Sequence, residues 1–242
     1  HMAGFPGEVD KILNFCKKKK IVLLEDCAHA VGTKFKKKHV GNFGVSGSFS
    51  FYPTKQITTG EGGMVITNDY NFYKKIKSLK AFGIDKDIKD RKKQGDYDVK
   101  SLGFNYRMTD FQAALGLNQI VKYTINLRQR HIIAKRYIKN FMNNKKIKHM
   151  PYSKNCSFFI FQIFCKNRDK ILKELKNKKI GVSVHYSNAL PKMTYYKKKY
   201  NLNIGKFKNA DSYGCTNISL PVYPKLKMTE VDKICKTIIG LI

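Results

Sequence analysis

One short stretch, residues 48–64, constrains the fold of this chain more than any other. Hydroxyl and aromatic side chains alternate over Ser48–Tyr52, which is typical of a half-buried β-strand. Pro53 cannot donate a hydrogen bond to a neighbouring strand, so the strand should end there and place Lys55 on a loop. Three glycines then allow a sharp reversal before the next apolar run: Gly60, Gly62 and Gly63.

The setting of Lys55 suits an amine that reacts with a carbonyl compound. A lysine at the rim of a packed sheet is partly removed from water, and this lowers the pKa of its ammonium group. More of the amine is then unprotonated, nucleophilic and able to form a Schiff base. The alternative is an ordinary solvated loop lysine, the usual state of lysine in folded proteins.

A second feature lies upstream, where residues 21–26 form an apolar run that ends in Glu25 and Asp26. The run predicts a buried parallel strand with acids at its carboxyl end, where open α/β sheets bind their ligands. An aspartate at a strand end and a distant lysine are the pair that a pyridoxal phosphate site requires. The carboxylate keeps the pyridine nitrogen protonated, and the lysine carries the cofactor aldehyde.

Hydrophobic periodicity outlines the other elements. Helices are predicted over 7–20, 71–81, 169–178 and 229–239, with Thr229 as the cap of the last, and a long helix runs from the N-cap pair Thr109 and Asp110 toward Asn144. Strands are predicted over 48–52, 157–165, 181–186 and 218–220, with a surface hairpin at 33–40 and an exposed loop at 83–100.

Three motifs follow one another along the chain, at residues 25–30, 48–63 and 103–114, with weaker matches at 184–186 and 219–221. In this order they resemble the DegT/DnrJ/EryC1/StrS sugar aminotransferases, which are pyridoxal-phosphate enzymes of fold type I. The resemblance covers essentially the whole chain.

The resemblance implies an α/β protein of the PLP-dependent transferase fold type I. Residues 1–148 would form part of the large PLP-binding domain, with a mostly parallel sheet, flanking helices and the long connecting helix. Residues 149–242 would form a small C-terminal α+β domain. The boundary is placed near 148 because the helical pattern is broken by Pro151.

The family pattern begins upstream of residue 1, since residues 1–6 resemble its His-x-x-Gly-x-Pro segment. The upstream part of the family supplies a Gly-Thr phosphate-binding loop and the side chain that stacks on the cofactor ring. The resemblance therefore leads us to expect a C-terminal portion of such an enzyme, with a separate N-terminal segment as one candidate partner.

The resemblance assigns cofactor roles to four residues. Lys55 would bind the cofactor covalently and move the proton between the amino donor and the cofactor. Asp26 would pair with the pyridine nitrogen. His29 would lie beside the phenolic oxygen of the ring, or else be a histidine packed beneath it. Ser50 matches a phosphate ligand, or is otherwise an inward-facing strand hydroxyl.

The other assigned residues concern the second subunit and the substrate. Asn105 matches a residue that reaches the phosphate from the neighbouring subunit, so the resemblance implies a homodimer with a shared site. Arg107 would bind a phosphate or the donor carboxylate, or else form an ion pair with Asp98 or Asp110. His185–Tyr186 would face the nucleotide-linked sugar.

The implied reaction transfers an amino group, with glutamate as the expected donor, to a keto group of a nucleotide-linked sugar. The product would be an amino sugar for surface glycans. Two alternatives stay open. Sugar dehydratases with the same cofactor typically have histidine in place of the lysine, so Lys55 argues against them. An inactive remnant acting as a binding or dimerisation partner fits the absent upstream pattern, but not the presence of Asp26, Ser50 and Lys55.

The net charge of +31 calls for a separate explanation. Only six of the 48 basic residues are arginine, the side chain that nucleic-acid readers use for bidentate contacts. Lysine is spread along the whole chain, which indicates compositional drift, and we expect no nucleic-acid partner. The positive field would still attract phosphorylated ligands.

The six cysteines show no C-x-x-C spacing, and no histidine pair has zinc-ligand spacing, so we expect neither a metal site nor disulfides. Reduced thiols indicate a cytoplasmic protein. No apolar stretch is long enough for a membrane span, so no membrane partner is expected.

Overall fold

The computed structural model describes residues 1–242 and divides into two compact units, His1–Thr124 and Ile125–Ile242. The division falls inside the longest helix, whereas the sequence placed a domain boundary near residue 148. The family's division into a large and a small domain at that position stays a prediction.

The first unit contains a small sheet, a hairpin and two complete helices. Its elements are α1 (Val9–Lys19), β1 (Leu24–Asp26), β2 (Lys34–Phe35), β3 (Lys38–His39), β4 (Ser46–Ser50), β5 (Gly63–Thr67) and α2 (Tyr70–Leu79). A long helix, α3 (Asp110–Phe141), begins in this unit and ends in the second. The predicted helices at 7–20 and 71–81, the hairpin and the long helix are confirmed.

The sheet of the first unit is mixed, with the strand order β1-β4-β5. Strand β1 pairs with β4 in parallel, as the expectation of a mostly parallel sheet requires. Strand β5 is antiparallel to β4. The connection 51–62 contains no crossover helix and closes on Phe51 through hydrogen bonds with Thr59 and Gly62, so the chain returns beside β4 in the opposite direction.

The prediction that residues 21–26 are buried was wrong. The strand has three residues, and the side chains of Val22 and Leu24 are 67% and 60% exposed. The buried residue is the acid Glu25. Its face of the sheet packs with a small apolar cluster around Cys27 and Val40, whereas the face that carries Leu24 is open.

Local signals explain where the helices begin. Asp69 caps α2, since its Oδ1 accepts hydrogen bonds from the N–H groups of Asn71 and Phe72 at 2.8 and 2.9 Å. Thr109 and Gln112 form a reciprocal cap on α3: each side chain accepts from the other residue's backbone N–H. The predicted cap at Thr109 is therefore confirmed.

The second unit combines a three-stranded antiparallel sheet with helices. Its elements after α3 are β6 (Lys148–His149), β7 (Phe161–Phe164), α4 (Arg168–Asn177), α5 (Thr194–Tyr200), α6 (Lys208–Thr216), β8 (Asn217–Leu220) and α7 (Met228–Ile239). The sheet order is β6-β7-β8. Its core contains fully buried aromatic rings, among them Tyr137 and Phe161, which stack with centroids 5.0 Å apart.

Three predictions for the second unit need correction. Strand β7 covers only the end of the predicted run 157–165. The predicted strand 181–186 is reduced to a single bridge between Ser183 and Ser219, because side chains bind the backbone of the following residues. The N-cap residue of α7 is Lys227 rather than the predicted Thr229, and the Glu230 carboxylate accepts the backbone N–H of Lys227 at 2.9 Å. Helices α5 and α6 were not predicted.

No helix of the structure, α3 included, is both long and apolar enough to cross a membrane.

Candidate active site

Lys55 lies on a loop whose two ends are joined by backbone hydrogen bonds to Phe51. The backbone N–H of Phe51 donates to the carbonyl of Gly62 at 2.9 Å, and its carbonyl accepts from the N–H of Thr59 at 3.0 Å. The side chains of Phe51 and Ile57 are buried and anchor the loop to the unit. Strand β4 ends before Pro53, so the loop position predicted for Lys55 is confirmed.

The electrostatic setting of Lys55 also agrees with the sequence argument. The side chain is half-buried, and burial lowers the pKa of its ammonium group. The negative charge of Asp26 raises the same pKa, but by less than burial lowers it. Asp26 and Lys55 therefore interact, although they come from different elements of the fold. The arrangement favours a reactive amine beside a carboxylate.

Asp26 is the last residue of β1, and its side chain is accessible. One carboxylate oxygen, Oδ1, accepts the backbone N–H of Ala28 at 3.0 Å, which fixes the orientation of the group. The other oxygen has no hydrogen-bond partner in the structure. An oriented carboxylate with one open oxygen can bind a cationic N–H group of a ligand.

Two serines share the face of Asp26. Ser48 is paired in register with Asp26 across β1 and β4, and Ser50 follows two residues later on the same strand. The Ser50 hydroxyl accepts the N–H of Tyr52 at 3.3 Å. The structure thus brings Asp26, Ser50 and the Lys55 loop to one part of the first unit. Sequence reasoning gave Ser48 no role, although the strand period could have shown it.

His29 lies in the turn after β1 and is only 9% exposed. The turn is held by a hydrogen bond from the N–H of Ala30 to the carbonyl of Cys27 at 2.9 Å. Both predicted roles of His29, the residue beside the phenolic oxygen and the histidine packed beneath the ring, require a buried side chain. The burial of His29 therefore does not distinguish them.

Glu25 stabilises the backbone of residues 41–44, a role that sequence reasoning did not predict. Its buried carboxylate accepts three backbone N–H groups, from Gly41 at 2.8 Å, Phe43 at 2.6 Å and Gly44 at 2.8 Å. The imidazole of His1 lies 3.0 Å from the same carboxylate. Glu25 therefore fixes the segment that leads into β4, and through it the strand that carries the serines.

Asn105 and Arg107 form a small exposed group before α3. The Arg107 Nε donates to the Asn105 side-chain oxygen at 3.2 Å, and the guanidinium lies 4.8 Å from the ring centroid of Phe82. Arg107 makes no ion pair with Asp98 or Asp110. The ion-pair alternative for Arg107 was therefore wrong, and its planar group is presented to solvent.

His185 and Tyr186 belong to the second unit, where buried side chains hold their backbone. The Asn217 amide accepts the N–H of His185 at 3.0 Å and donates to the carbonyl of Tyr186 at 3.2 Å. Gln162 donates to the carbonyl of His185 at 3.0 Å, and Ser219 lies 2.9 Å from its Nδ1. The Tyr186 side chain is 55% exposed. Sequence reasoning missed Gln162 and Asn217.

The comparisons with known proteins agree with the fold and identify the family. The DegT/DnrJ/EryC1/StrS aminotransferase family matches residues 1–239, and the chain belongs to this family. The predicted family and the α/β transferase fold are thereby confirmed.

Two curated relatives show how much of the family the chain spans. A UDP-4-amino-4,6-dideoxy-N-acetyl-beta-L-altrosamine transaminase of Campylobacter jejuni is 34% identical over 246 residues, which are 99% of this chain and 63% of the relative. The GDP-perosamine synthase of Escherichia coli O157:H7 is 34% identical over 244 residues, 98% of this chain and 63% of the relative. The chain thus spans about 63% of the length of these relatives.

Solved structures show the same fold. Helicobacter pylori PseC, an aminotransferase involved in the biosynthesis of pseudoaminic acid, superimposes with a TM-score of 0.91 at 30% identity, covering 99% of this chain and 64% of that one. The PLP-form of Spr1654 from Streptococcus pneumoniae gives a TM-score of 0.90 at 27% identity, covering 99% of this chain and 66% of that one.

The residues present fit pyridoxal phosphate, the cofactor that the family implies. Lys55 offers an amine of lowered pKa for the aldehyde. Asp26 offers an oriented carboxylate for a protonated ring nitrogen. Ser50 places a hydroxyl on the same face for the phosphate. The chain therefore offers a residue of suitable chemistry for the aldehyde, for the ring nitrogen and for the phosphate of the cofactor.

Proposed function

We propose that this chain carries the pyridoxal phosphate site of a sugar aminotransferase. The single observation that supports this most strongly is the half-buried Lys55, whose pKa is lowered by burial while Asp26 supplies the opposing charge. A solvated loop lysine would show neither effect. The amine and the carboxylate are the two groups that the chemistry of this cofactor requires.

The bound cofactor would supply an electron sink for charge that develops on the carbon next to the amino group. Lys55 Nζ would hold the cofactor aldehyde carbon, and when released it would move a proton to or from the α-carbon of the amino donor. Asp26 would keep the ring nitrogen protonated through a charge-assisted hydrogen bond. Ser50 would bind the phosphate, and His29 would lie beside the phenolic oxygen of the ring.

The substrates would be an amino-acid donor, with glutamate expected, and a nucleotide-linked keto sugar. Support comes from the names of the relatives, which refer to UDP- and GDP-linked amino sugars and to spore coat polysaccharide biosynthesis. Arg107 would bind a phosphate or the donor carboxylate with its planar guanidinium. His185 and Tyr186 would contact the sugar nucleotide.

A homodimer is proposed from the apolar surface around Asn105. Leu102 and Phe111 are 85% and 76% exposed, and Val121 on α3 is 82% exposed. Water-exposed apolar patches of this kind usually mark an interface. A second copy covering this surface would bring Asn105 toward the cofactor phosphate of its neighbour. All six cysteines are free, which supports action in the reducing cytoplasm.

The test begins with cofactor binding. The protein is incubated with pyridoxal phosphate, reduced with borohydride and mapped by mass spectrometry, and the expected result is a phosphopyridoxyl group on Lys55. The loaded protein is then given glutamate and UDP- or GDP-linked keto sugars, and the sugar product is analysed. An amino sugar supports the proposal, whereas a deoxygenated keto sugar would indicate the dehydratase. Labelling of another lysine in preference to Lys55 would overturn the assignment.

A further inference from the structure

The C-terminal part of the Lys55 loop, residues 58–61, is bound by two side chains of helix α3. Gln119 uses both ends of its amide on one residue of the loop: its oxygen accepts the N–H of Thr58 at 3.1 Å, and its nitrogen donates to the carbonyl of Thr58. Gln112 donates from its amide to the carbonyl of Glu61 at 2.8 Å. The backbone of residues 58–61 is therefore held at two points by side chains rather than by a neighbouring strand.

The spacing of the contacts shows that one face of α3 is shaped for this loop. Gln112, Gly116 and Gln119 are separated by four and three residues, so they lie on the same side of the helix. A Cβ atom added to Gly116 would lie 3.2 Å from the Thr59 side chain. Glycine is unfavourable in a helix interior, and here it allows the loop and the helix to approach closely.

The buried side chain of Ile57 anchors the loop between Lys55 and Thr58. Thr58 and Thr59 also bond to the carbonyl of Phe51, which closes the loop at its base. Between that closure and Lys55 the chain follows no regular element. Thr58 is three residues from Lys55, so movement of Thr58 changes both the direction and the burial of the lysine.

We propose that Gln119 is a positioning residue for Lys55, acting through the backbone of Thr58. The inference rests on the proposed function, since it concerns the amine that would bind the cofactor. Gln119 holds the N–H and the carbonyl of Thr58 in one orientation, and this keeps the Lys55 amine partly shielded from water. Without that amide the loop relaxes toward solvent, and Lys55 behaves more like the other lysines of the chain.

The test compares Gln119→Ala with Gln129→Ala in the protein loaded with pyridoxal phosphate. Gln129 lies on the same helix and makes no hydrogen bond to the loop, so it gives the same change in helix propensity. Two quantities are measured well below the melting temperature: the apparent affinity for pyridoxal phosphate, from borohydride trapping on Lys55 over a series of cofactor concentrations, and the pH midpoint of Lys55 labelling. For Gln119→Ala we expect about a tenfold weaker apparent affinity, the scale of two lost neutral hydrogen bonds, and a higher pH midpoint.

Gln119→Glu keeps the shape of the side chain and guards against a folding defect. Its carboxylate still accepts the N–H of Thr58 but cannot donate to the carbonyl and faces it with a charged oxygen, so an effect close to that of Gln119→Ala is expected. If Gln119→Ala behaves like Gln129→Ala, or if it lowers only the melting temperature and leaves the pH midpoint unchanged, the inference is wrong. If the unsubstituted protein does not label at Lys55 at all, the proposed function itself fails.

Discussion

Asp26 and Ser48 are partners in register across the parallel strands β1 and β4, and their side chains lie on the same face of the sheet. The pairing continues one residue further, since the N–H of Cys27 donates to the carbonyl of Ser48 at 2.8 Å. Because β4 leads directly into the Lys55 loop, this register sets how the carboxylate and the amine approach each other. The chemistry proposed for the site therefore depends on one short parallel ladder.

Replacing Asp26 by asparagine should keep the shape of the strand end and remove its charge. The ring nitrogen of the cofactor would lose its ionic partner, so cofactor affinity should fall. The rate of the half-reaction with the amino donor should fall by roughly two to four orders of magnitude, the usual scale for one electrostatic partner. Single-turnover absorbance measurements give the rate. Asp10→Asn, at an exposed acid paired with Lys36, is the control. A rate within a few-fold of the parent would make Asp26 an ordinary strand-end acid.

Lys55 should react with aldehydes at lower pH than the exposed lysines. Its lowered pKa means that the unprotonated amine already forms at a pH where ordinary lysines stay charged. Lys11 and Lys100 are internal references, because Glu8 and Asp98 raise their pKa values. Competitive reductive methylation over a pH series, read by mass spectrometry, should give the lowest midpoint for Lys55.

The same pH series on Asp26→Asn tests the direction in which the Lys55 midpoint moves. The aspartate charge raises the pKa of Lys55, so its removal should move the Lys55 midpoint to still lower pH. A midpoint for Lys55 equal to that of Lys11, or one that rises in the variant, would contradict the electrostatic coupling of the two groups.

Local patterns predicted most of the first unit. The alternation over 48–52, the proline that follows it and the glycine turn placed Lys55 on a loop without any structure. The cap at Thr109 was equally visible, because it depends on residues three apart in the sequence. These features depend on the backbone preferences of individual residues and on the periodicity of side chains. Both can be read from a single sequence.

Contacts between distant segments could not be predicted in this way. The bonds from Glu25 to the N–H groups of Gly41, Phe43 and Gly44, and from Gln119 to Thr58, depend on which elements meet in space. The predicted strand 181–186 failed for the same reason, since the buried amide of Asn217 competes with a neighbouring strand for the backbone. Polar residues that bind distant backbone leave no periodic signal.

Gly47→Ala should destabilise the first unit through a direct backbone contact. A Cβ atom at this position would lie 2.3 Å from the Cα of Gly41 and 2.8 Å from its carbonyl oxygen. Neither atom belongs to a flexible side chain, so the strand must shift. We expect a loss of about 1–3 kcal/mol in the free energy of unfolding, as for other overpacked sites. Urea denaturation measures the loss.

Gly181→Ala is the matched control for that substitution, because an added Cβ there would meet no atom within 4 Å. Its free energy of unfolding should stay within about 0.5 kcal/mol of the parent. Equal stability of the two variants would show that β4 does not approach Gly41 as closely as the structure describes.

Asn217→Asp should displace His185 and Tyr186 and weaken the second unit. The Asn217 side chain is fully buried, and its amide nitrogen donates to the carbonyls of Tyr186 and Tyr213. A carboxylate cannot donate, so the Tyr186 carbonyl would lose its partner and a charge would be buried beside it. We expect a loss of about 2–4 kcal/mol in the free energy of unfolding at neutral pH, measured by urea denaturation.

The loss should shrink at low pH, where the carboxyl group is protonated and can donate again. Asn118→Asp, the same change at an exposed position, should have little effect. Equal losses in the two variants, or a loss that does not depend on pH, would show that Asn217 does not hold this segment through its amide donor.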